Sequence, residues 1–506
     1  MATDTVNSGL SPPNRCRLQL YSNNKEALGF ALDGVARIVG FIAAAVFLST
    51  AIINLAKQDA GCIIYATDNE QIVPECNARV YGLRPSSLLT TYGTIVGLIS
   101  AFSLPIVGAV VDYTPHRKLI GFVSAALQLC FIFVQIFLTK SNWFPMTIVQ
   151  VGSAFVGWMH TLVVFAYLPE LTEDENLLVS WTASFHILQY CTLIAFLLYM
   201  LGILYVTGYT NDGDEILSSR IASISSLIIA APCYFLTWTR LMKRRRSFHQ
   251  LPQDSSLLTI GFVKVYRTSK MMYHRFRSLL WFFLNVSLVE AGQQSIAAIS
   301  LTFMTDTLQM TATENGIAIL MLFIFGIVGA AIGKISVKFV NPIASNQICQ
   351  ILTGLNTGMA ALILYGPGQQ IRAYIVASIW GLGAGWKNTI ERFTITQIIP
   401  KGQDTELMGF YLFASQILVW APTLLFTILN EVGVNPRLSL LVLVVFFAGA
   451  LFSLWMVGPY EEVVRVAREH EHHNDVRADI NDEQNDDGSL IATPSQQTDD
   501  KIEDKN

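Results

Sequence analysis

Charge is what this chain has little of. Only 14% of its 506 residues are Asp, Glu, Lys or Arg, against about 25% in a soluble protein. Too few charged side chains exist to cover a water-soluble globule of this size. Catalytic patterns are missing as well. No Cys/His spacing fits a metal site, and there is no nucleotide loop and no nucleophile elbow. An enzyme is therefore not expected, nor a metal, another cofactor or a nucleic-acid partner. The glycine-rich "GLGAGW", 381–386, lies inside an apolar segment, where small residues serve helix packing. A cleavable signal peptide is not expected either. The first 26 residues are polar, and the first apolar segment is too long and has no small-residue cleavage site.

What the chain has is apolar length: 52% of its residues are hydrophobic. Runs of roughly 20 residues recur, each able to cross a hydrocarbon core of about 30 Å. They lie at 27–56, 87–111, 119–139, 145–168, 177–206, 221–239, 279–304, 315–339, 346–366, 372–396, 408–429 and 438–458. The expected fold is an all-α membrane protein of twelve transmembrane helices. It divides into a cytoplasmic N-terminal tail (1–26), a six-helix bundle (27–239), a basic cytoplasmic linker (240–278), a second six-helix bundle (279–458) and an acidic tail (459–506) expected to be disordered.

The basic residues orient these segments, because Lys and Arg collect on the cytoplasmic side. His116, Arg117 and Lys118 fill the turn between the second and third segments. Arg240, Lys243, Arg244, Arg245, Arg246, Lys264, Arg267, Lys270, Arg275 and Arg277 fill the linker, and Lys334 and Lys338 follow the eighth segment. All fall on one side if both termini are cytoplasmic. The later part of the linker, "LLTIGFVKVYRTSKMMYHRFRS", mixes apolar and basic residues as an interfacial helix does, so membrane lipid is an expected partner. Of the seven cysteines, Cys62 and Cys76 share the first non-cytoplasmic loop. There they either form a disulfide, given an oxidising compartment, or remain two thiols. No Asn-x-Ser/Thr sequon falls in a non-cytoplasmic loop.

Two halves of six segments are the arrangement of the major facilitator superfamily, and "VGAVVDYTPHRK", 107–118, resembles its motif Gly-x-x-x-Asp-Arg-x-Gly-Arg-Arg. Gly108, Asp112 and Arg117 fit, whereas Tyr113 replaces a basic residue and Pro115 a glycine. Gly108, Asp112, Arg117 and Lys118 are thus read as a conformational latch, in which a carboxylate meets a positive helix end or a basic partner and lets go when the halves rock. "GAAIGKISVK" keeps Gly329 and Lys334 at the matching turn of the second half, with Gly333 where the Asp would stand. The Gly-Pro motif of drug antiporters and the Pro-Glu-Ser-Pro-Arg signature of sugar porters are absent.

A narrower resemblance covers "RFTITQIIPKGQDTELMGFYLFASQILVWAPTLLF", 392–426, which looks like the autophagy-related vacuolar amino-acid effluxer family. Arg392, Pro400, Gly402, Glu406, Gly409 and Tyr411 match, and Ala421-Pro422 stands for Gly-Pro. "FAYLPEL", 165–171, is similar to the end of the family's fourth span. "VEAGQQSI" is similar to its Asp-Gly-x-x-Thr, with Ala291 in the Asp position and Glu290 beside it. The resemblance implies export of amino acids from the vacuole by alternating access. Transport of another small organic solute, for instance at the plasma membrane, and a non-transporting receptor or scaffold are the alternatives.

Polar groups inside spans are expensive, so each is a site candidate. Asp33, Arg37, His160, His186, Gln189, Glu290, Gln293 and Gln294 are the candidates for the solute and proton pathway. Lys387, Glu391 and Arg392 are candidates for a cytoplasmic gate. Glu290 is the expected proton carrier, since burial penalises a carboxylate's charge. In the acidic tail, "DDGSLI" places Asp486 four residues before Leu490 and Ile491, which fits a dileucine sorting signal.

Overall fold

In the computed structural model, the described residues are 24–66, 69–72, 76, 78–168, 171, 175–207, 215–244, 256–400 and 404–468. Asp486, Leu490 and Ile491 lie outside them, and so does the side chain of His186.

Nearly every element is a helix. The first half runs α1 (Lys25–Ile42), α2 (Ser49–Asp59), α3 (Leu88–Tyr113), α4 (Arg117–Gln135), α5 (Trp143–Phe165), α6 (Glu175–Thr207) and α7 (Glu215–Leu236). The linker contributes α8 (Leu257–Arg275). The second half runs α9 (Arg277–Asp306), α10 (Ala312–Ser336), α11 (Pro342–Ile363), α12 (Gln370–Ile398), α13 (Asp404–Ile417), α14 (Trp420–Val432), α15 (Pro436–Ser439) and α16 (Leu441–Met456). Among the described residues, nine helical segments are long and apolar enough to cross a membrane. Three more long helices, α9, α11 and α12, carry more polar residues. Large apolar side chains such as Phe102, Ile148, Ile228, Leu362, Val445 and Trp455 are exposed, an arrangement suited to lipid rather than water.

Local chemistry sets the helix ends. Asn24 caps α1 by accepting from the backbone N–H groups of Glu26 and Ala27. Thr311 and Glu314 form a reciprocal capping box on α10. Two long helical passes are irregular along their length. Between α1 and α2 the backbone widens into a π-helix, Ala43–Leu48. There the Ala44 carbonyl accepts from Ser49 Oγ (3.0 Å) and Gln150 Nε2 (3.1 Å), side-chain donors of the kind that disturb a helical ladder. Between α13 and α14 the cause is Pro422, which has no N–H for the Leu418 carbonyl. Ala421 N donates to that carbonyl instead, at 3.0 Å, and Ser295 Oγ donates to the Val419 carbonyl at 3.2 Å.

The loop after α2 holds a short antiparallel hairpin, β1 (Ile63–Ala66) with β2 (Asn69–Ile72). A disulfide joins Cys62 to Cys76 at its base. In the second half, α10 and α12 approach closely enough that a Cβ on Gly385 would lie 1.8 Å from the Gly326 carbonyl oxygen. The glycines of "GLGAGW" therefore serve packing, and that packing fixes the α12 face that carries Lys387 and Glu391.

The halves meet where α3 packs on α13 and α14, and where α6 packs on α10. The cross-half bonds described cluster on the side opposite the basic linker. Thr427 donates to Thr90 (2.7 Å), Thr94 to Thr423 (3.0 Å), and Asn430 to Ser86 (2.7 Å) and Ser87 (2.9 Å). Glu431 pairs with Arg79 at 3.1 Å and accepts from Arg84 N at 2.9 Å. Lys57 reaches Asp306 (3.1 Å) and the Thr305 carbonyl (2.9 Å). These bonds form a polar seam that holds together the ends of the two halves that lie away from the basic linker.

Candidate functional site

The second half contains the densest charge cluster. Glu290 stands near the middle of α9. Lys387 and Glu391 face it from α12, one helical turn apart. Lys387 Nζ is ion-paired with Glu290 Oε1, lies 3.3 Å from Glu391 Oε2 and donates to Asn388 Oδ1 at 3.1 Å. Tyr411 on α13 donates to Glu391 Oε1 at 2.7 Å. Gln294, one turn beyond Glu290, donates to Glu290 Oε2 at 3.4 Å, while its own carbonyl oxygen is buried without a partner. Side-chain exposure falls from 14% at Glu290 to 1% at Lys387 and 0% at Glu391. Two carboxyl groups therefore share one ammonium, and only Glu290 touches open space.

The first half holds a second cluster, around Asp33. His160 Nε2 donates to Asp33 Oδ1 at 2.9 Å, and Trp238 Nε1 donates to the same oxygen at 3.0 Å. His160 Nδ1 lies 2.7 Å from Ser124 Oγ. The Asp33 and His160 side chains are both fully buried. Four helical passes meet here, so this is the interior of one bundle. Arg37 lies at its edge. Its Nε is 3.5 Å from Asp33 Oδ2, and its Nη1 donates to Thr161 Oγ1 at 3.2 Å.

The sequence reading treated Glu290 as a cavity residue and Lys387, Glu391 and Arg392 as a separate gate. The structure places Glu290, Lys387 and Glu391 in one triad and leaves Arg392 exposed. Gln293 is half-buried beside the triad. Gln189 packs over Gly34 of α1, where an added Cβ would come within 2.9 Å of its amide nitrogen. In the latch motif, Asp112 accepts from Lys264 of α8 at 3.1 Å, so its partner is the linker helix rather than a helix of the second half. Arg117 turns inward, is 1% exposed and donates to the Val111 and Ala166 carbonyls. Lys118 is half-buried, and a Cβ on Gly108 would meet nothing within 4 Å.

Sequence reasoning missed Trp238, Ser124 and Asn388 as site residues, and it had Tyr411 only as part of a family pattern. A Trp at the end of a span reads as an interfacial anchor. Nothing in the sequence marks Trp238 as a partner of Asp33.

Comparison with known proteins fits this architecture. The profile of the family described as "Vacuole effluxer Atg22 like" matches residues 178–461. No curated protein matches the sequence. Among solved structures, the chain is similar to a D-xylose-proton symporter, with a TM-score of 0.59, 13% identity, and 87% of this chain and 98% of that one covered. It is also similar to the inward open conformation of the xylose transporter XylE from E. coli, with a TM-score of 0.56, 13% identity and coverage of 87% and 96%. A third similar structure is the nucleoside transporter NupG, with a TM-score of 0.55, 12% identity and coverage of 85% and 98%. At these identities the likeness establishes a shared transporter fold.

Proposed function

The chain belongs to the vacuole effluxer Atg22-like family of membrane transporters, and from that premise we propose that it exports amino acids from the vacuole to the cytosol by alternating access, coupled to protons. In this reading α9, α11 and α12 cross the membrane with the nine more apolar segments, and the protein resides in the vacuolar membrane. The polar seam is the vacuolar gate. With it closed, a cavity between the halves opens to the cytosol, and each transport cycle must break the seam.

The observation that carries this proposal is the triad of Glu290, Lys387 and Glu391. A buried charge is costly unless compensated, and here one ammonium faces two carboxyl groups. One further positive charge balances the site, either a proton or the ammonium group of an amino acid. Glu290, the most exposed of the three, is where that charge arrives. An acidic lumen supplies protons when the vacuolar gate opens, and the neutral cytosol removes them when it closes. Spans are more readily built of apolar residues alone, so a scaffold has no need of this triad.

The test is transport by the purified full chain in vesicles whose acidic interior adjoins the non-cytoplasmic face. A panel of amino acids, sugars and organic anions is loaded inside. Acid-driven exit of amino acids is expected. Exit of sugars or organic anions instead would favour the transporter of another solute. Movement of none would favour a receptor or scaffold.

A further inference from the structure

We propose that the outward face of α8 is a docking surface for anionic phospholipid, with an aromatic stripe set into the bilayer and a basic flank on the headgroups. This goes beyond the transport reading above and does not depend on which solute is carried.

The first observation is where α8 is fastened. Gly261 meets α3 so closely that an added Cβ would lie 2.0 Å from the Pro105 carbonyl oxygen. Lys264 pairs with Asp112 at 3.1 Å, in the last turn of α3. Pro105 and Asp112 are about 10 Å apart along that helix. At the other end of α8, Met272 and Phe276 are buried with Leu279, Phe282 and Phe283 of α9. Only Phe276 separates α8 from α9. The helix is thus held against both halves, along the last turns of a segment apolar enough to cross a membrane. Gly261 meets that segment further from its end than Lys264 does, so α8 enters the boundary with its N-terminal end first.

The second observation is what α8 leaves outward. Leu258, Phe262, Tyr266 and Tyr273 are exposed and, at helical spacing, share one stripe. Arg267, Lys270 and His274 are exposed on the flank beside it. Charge also divides along the helix. Residues 257–263 carry none, and Lys264, Arg267, Lys270 and Arg275 all follow. The uncharged end is therefore the one that reaches along α3. An apolar stripe beside a basic flank is the pattern of a helix lying in the interface, its apolar face about 5–10 Å into the headgroup and acyl boundary.

The third observation is charge complementarity. From Ser255 to Val289 the chain contains no acidic residue. Lys264 is taken by Asp112, but among the described residues Arg267 and Lys270 pair with no acid. An anionic bilayer surface supplies both the negative charge and the apolar medium that this face lacks. Residues 469–506 of the chain's own acidic tail offer charge but contain no aromatic residue, so they would leave the stripe uncovered.

Hydrogen–deuterium exchange of α8 tests this, with the full chain in vesicles of phosphatidylcholine alone or with about 30% phosphatidylserine. Exchange should be about 30-fold slower in the anionic vesicles, the effect of two basic side chains at an anionic surface. About 0.5 M salt should shrink the difference by screening. Arg267→Gln combined with Lys270→Gln should remove it. Phe262→Ser combined with Tyr266→Ser should speed exchange in both kinds of vesicle, because the stripe is lost whatever the headgroup. Lys334→Gln combined with Lys338→Gln removes two exposed basic residues outside α8 and should keep the full difference. Equal exchange of the wild type in both vesicles would overturn the proposal, as would a difference that survives loss of Arg267 and Lys270. Slow exchange in neutral vesicles that salt abolishes would assign the basic flank to the acidic tail instead, and would overturn it too.

Discussion

Replacing Lys387 with Met should destabilise the protein severely, because Met fills much the same space but leaves Glu290 and Glu391 facing each other without their ammonium. Both carboxyl groups are at least 86% buried on a side-chain basis. Removing one partner of a buried ion pair costs about 3–5 kcal/mol. A shift of roughly 2–4 °C per kcal/mol is typical of units of 150–250 residues, about the size of one half. The midpoint of thermal unfolding should therefore fall by roughly 6–20 °C. The assay is thermal unfolding of detergent-purified protein, followed by loss of the monodisperse peak. A second variant separates charge from shape. Lys387→Met combined with Glu391→Gln restores the single negative charge of the wild-type triad, and it should regain a substantial part of the lost midpoint. If Lys387→Met unfolds within about 2 °C of the wild type, the triad is not a coupled unit. The same conclusion follows if the double variant is no better than the single one.

Asp112→Asn should change thermal stability little, because Asp112 and Lys264 are 28% and 37% exposed and such pairs contribute about 0–1 kcal/mol. Its transport turnover should nonetheless fall severalfold, because the pair ties α3 to the linker helix in one state. Normal turnover would show that the pair does not act as a latch. Glu431→Gln should weaken the non-cytoplasmic seam by loosening both the Arg79 pair and the Arg84 N–H bond. A cysteine introduced at Ala298, a half-buried position of α9 beside Gly93 of α3, should then react faster with an impermeant thiol reagent applied from that side, and an unchanged rate would count against the seam as a gate.

Much of the architecture was readable because hydropathy reports it directly. The expected segment 87–111 starts one residue before α3 and otherwise lies within it, and 279–304 lies within α9. The more polar runs 279–304, 346–366 and 372–396 were read by the same hydropathy rule, and they fall on the long helices α9, α11 and α12, although Glu290 lowers the hydropathy of α9 and Lys387 and Glu391 that of α12. Partner choice was not readable. Glu290 and Lys387 stand 97 positions apart, and Asp33 finds His160 and Trp238 at separations of 127 and 205. Local spacing offered Arg37 as Asp33's partner, four residues on. That ion pair is present, with Arg37 Nε 3.5 Å from Asp33 Oδ2, and tertiary packing adds two donors on the other carboxylate oxygen that spacing does not announce. The backbone irregularities divide in the same way. Pro422 announces the break before α14, whereas the widening at Ala43–Leu48 depends on Gln150 from another helix.

The central claim is that Glu290 carries the coupling proton while the solute crosses between the halves. Glu290→Gln keeps the shape and a partner for Lys387, but it removes the titrating group. The paired measurement is net amino-acid exit from vesicles with an acidic interior and counterflow exchange with no gradient. The account predicts that the variant loses gradient-driven exit and retains exchange at near the wild-type rate. Gradient-driven exit at the normal rate in Glu290→Gln would contradict it.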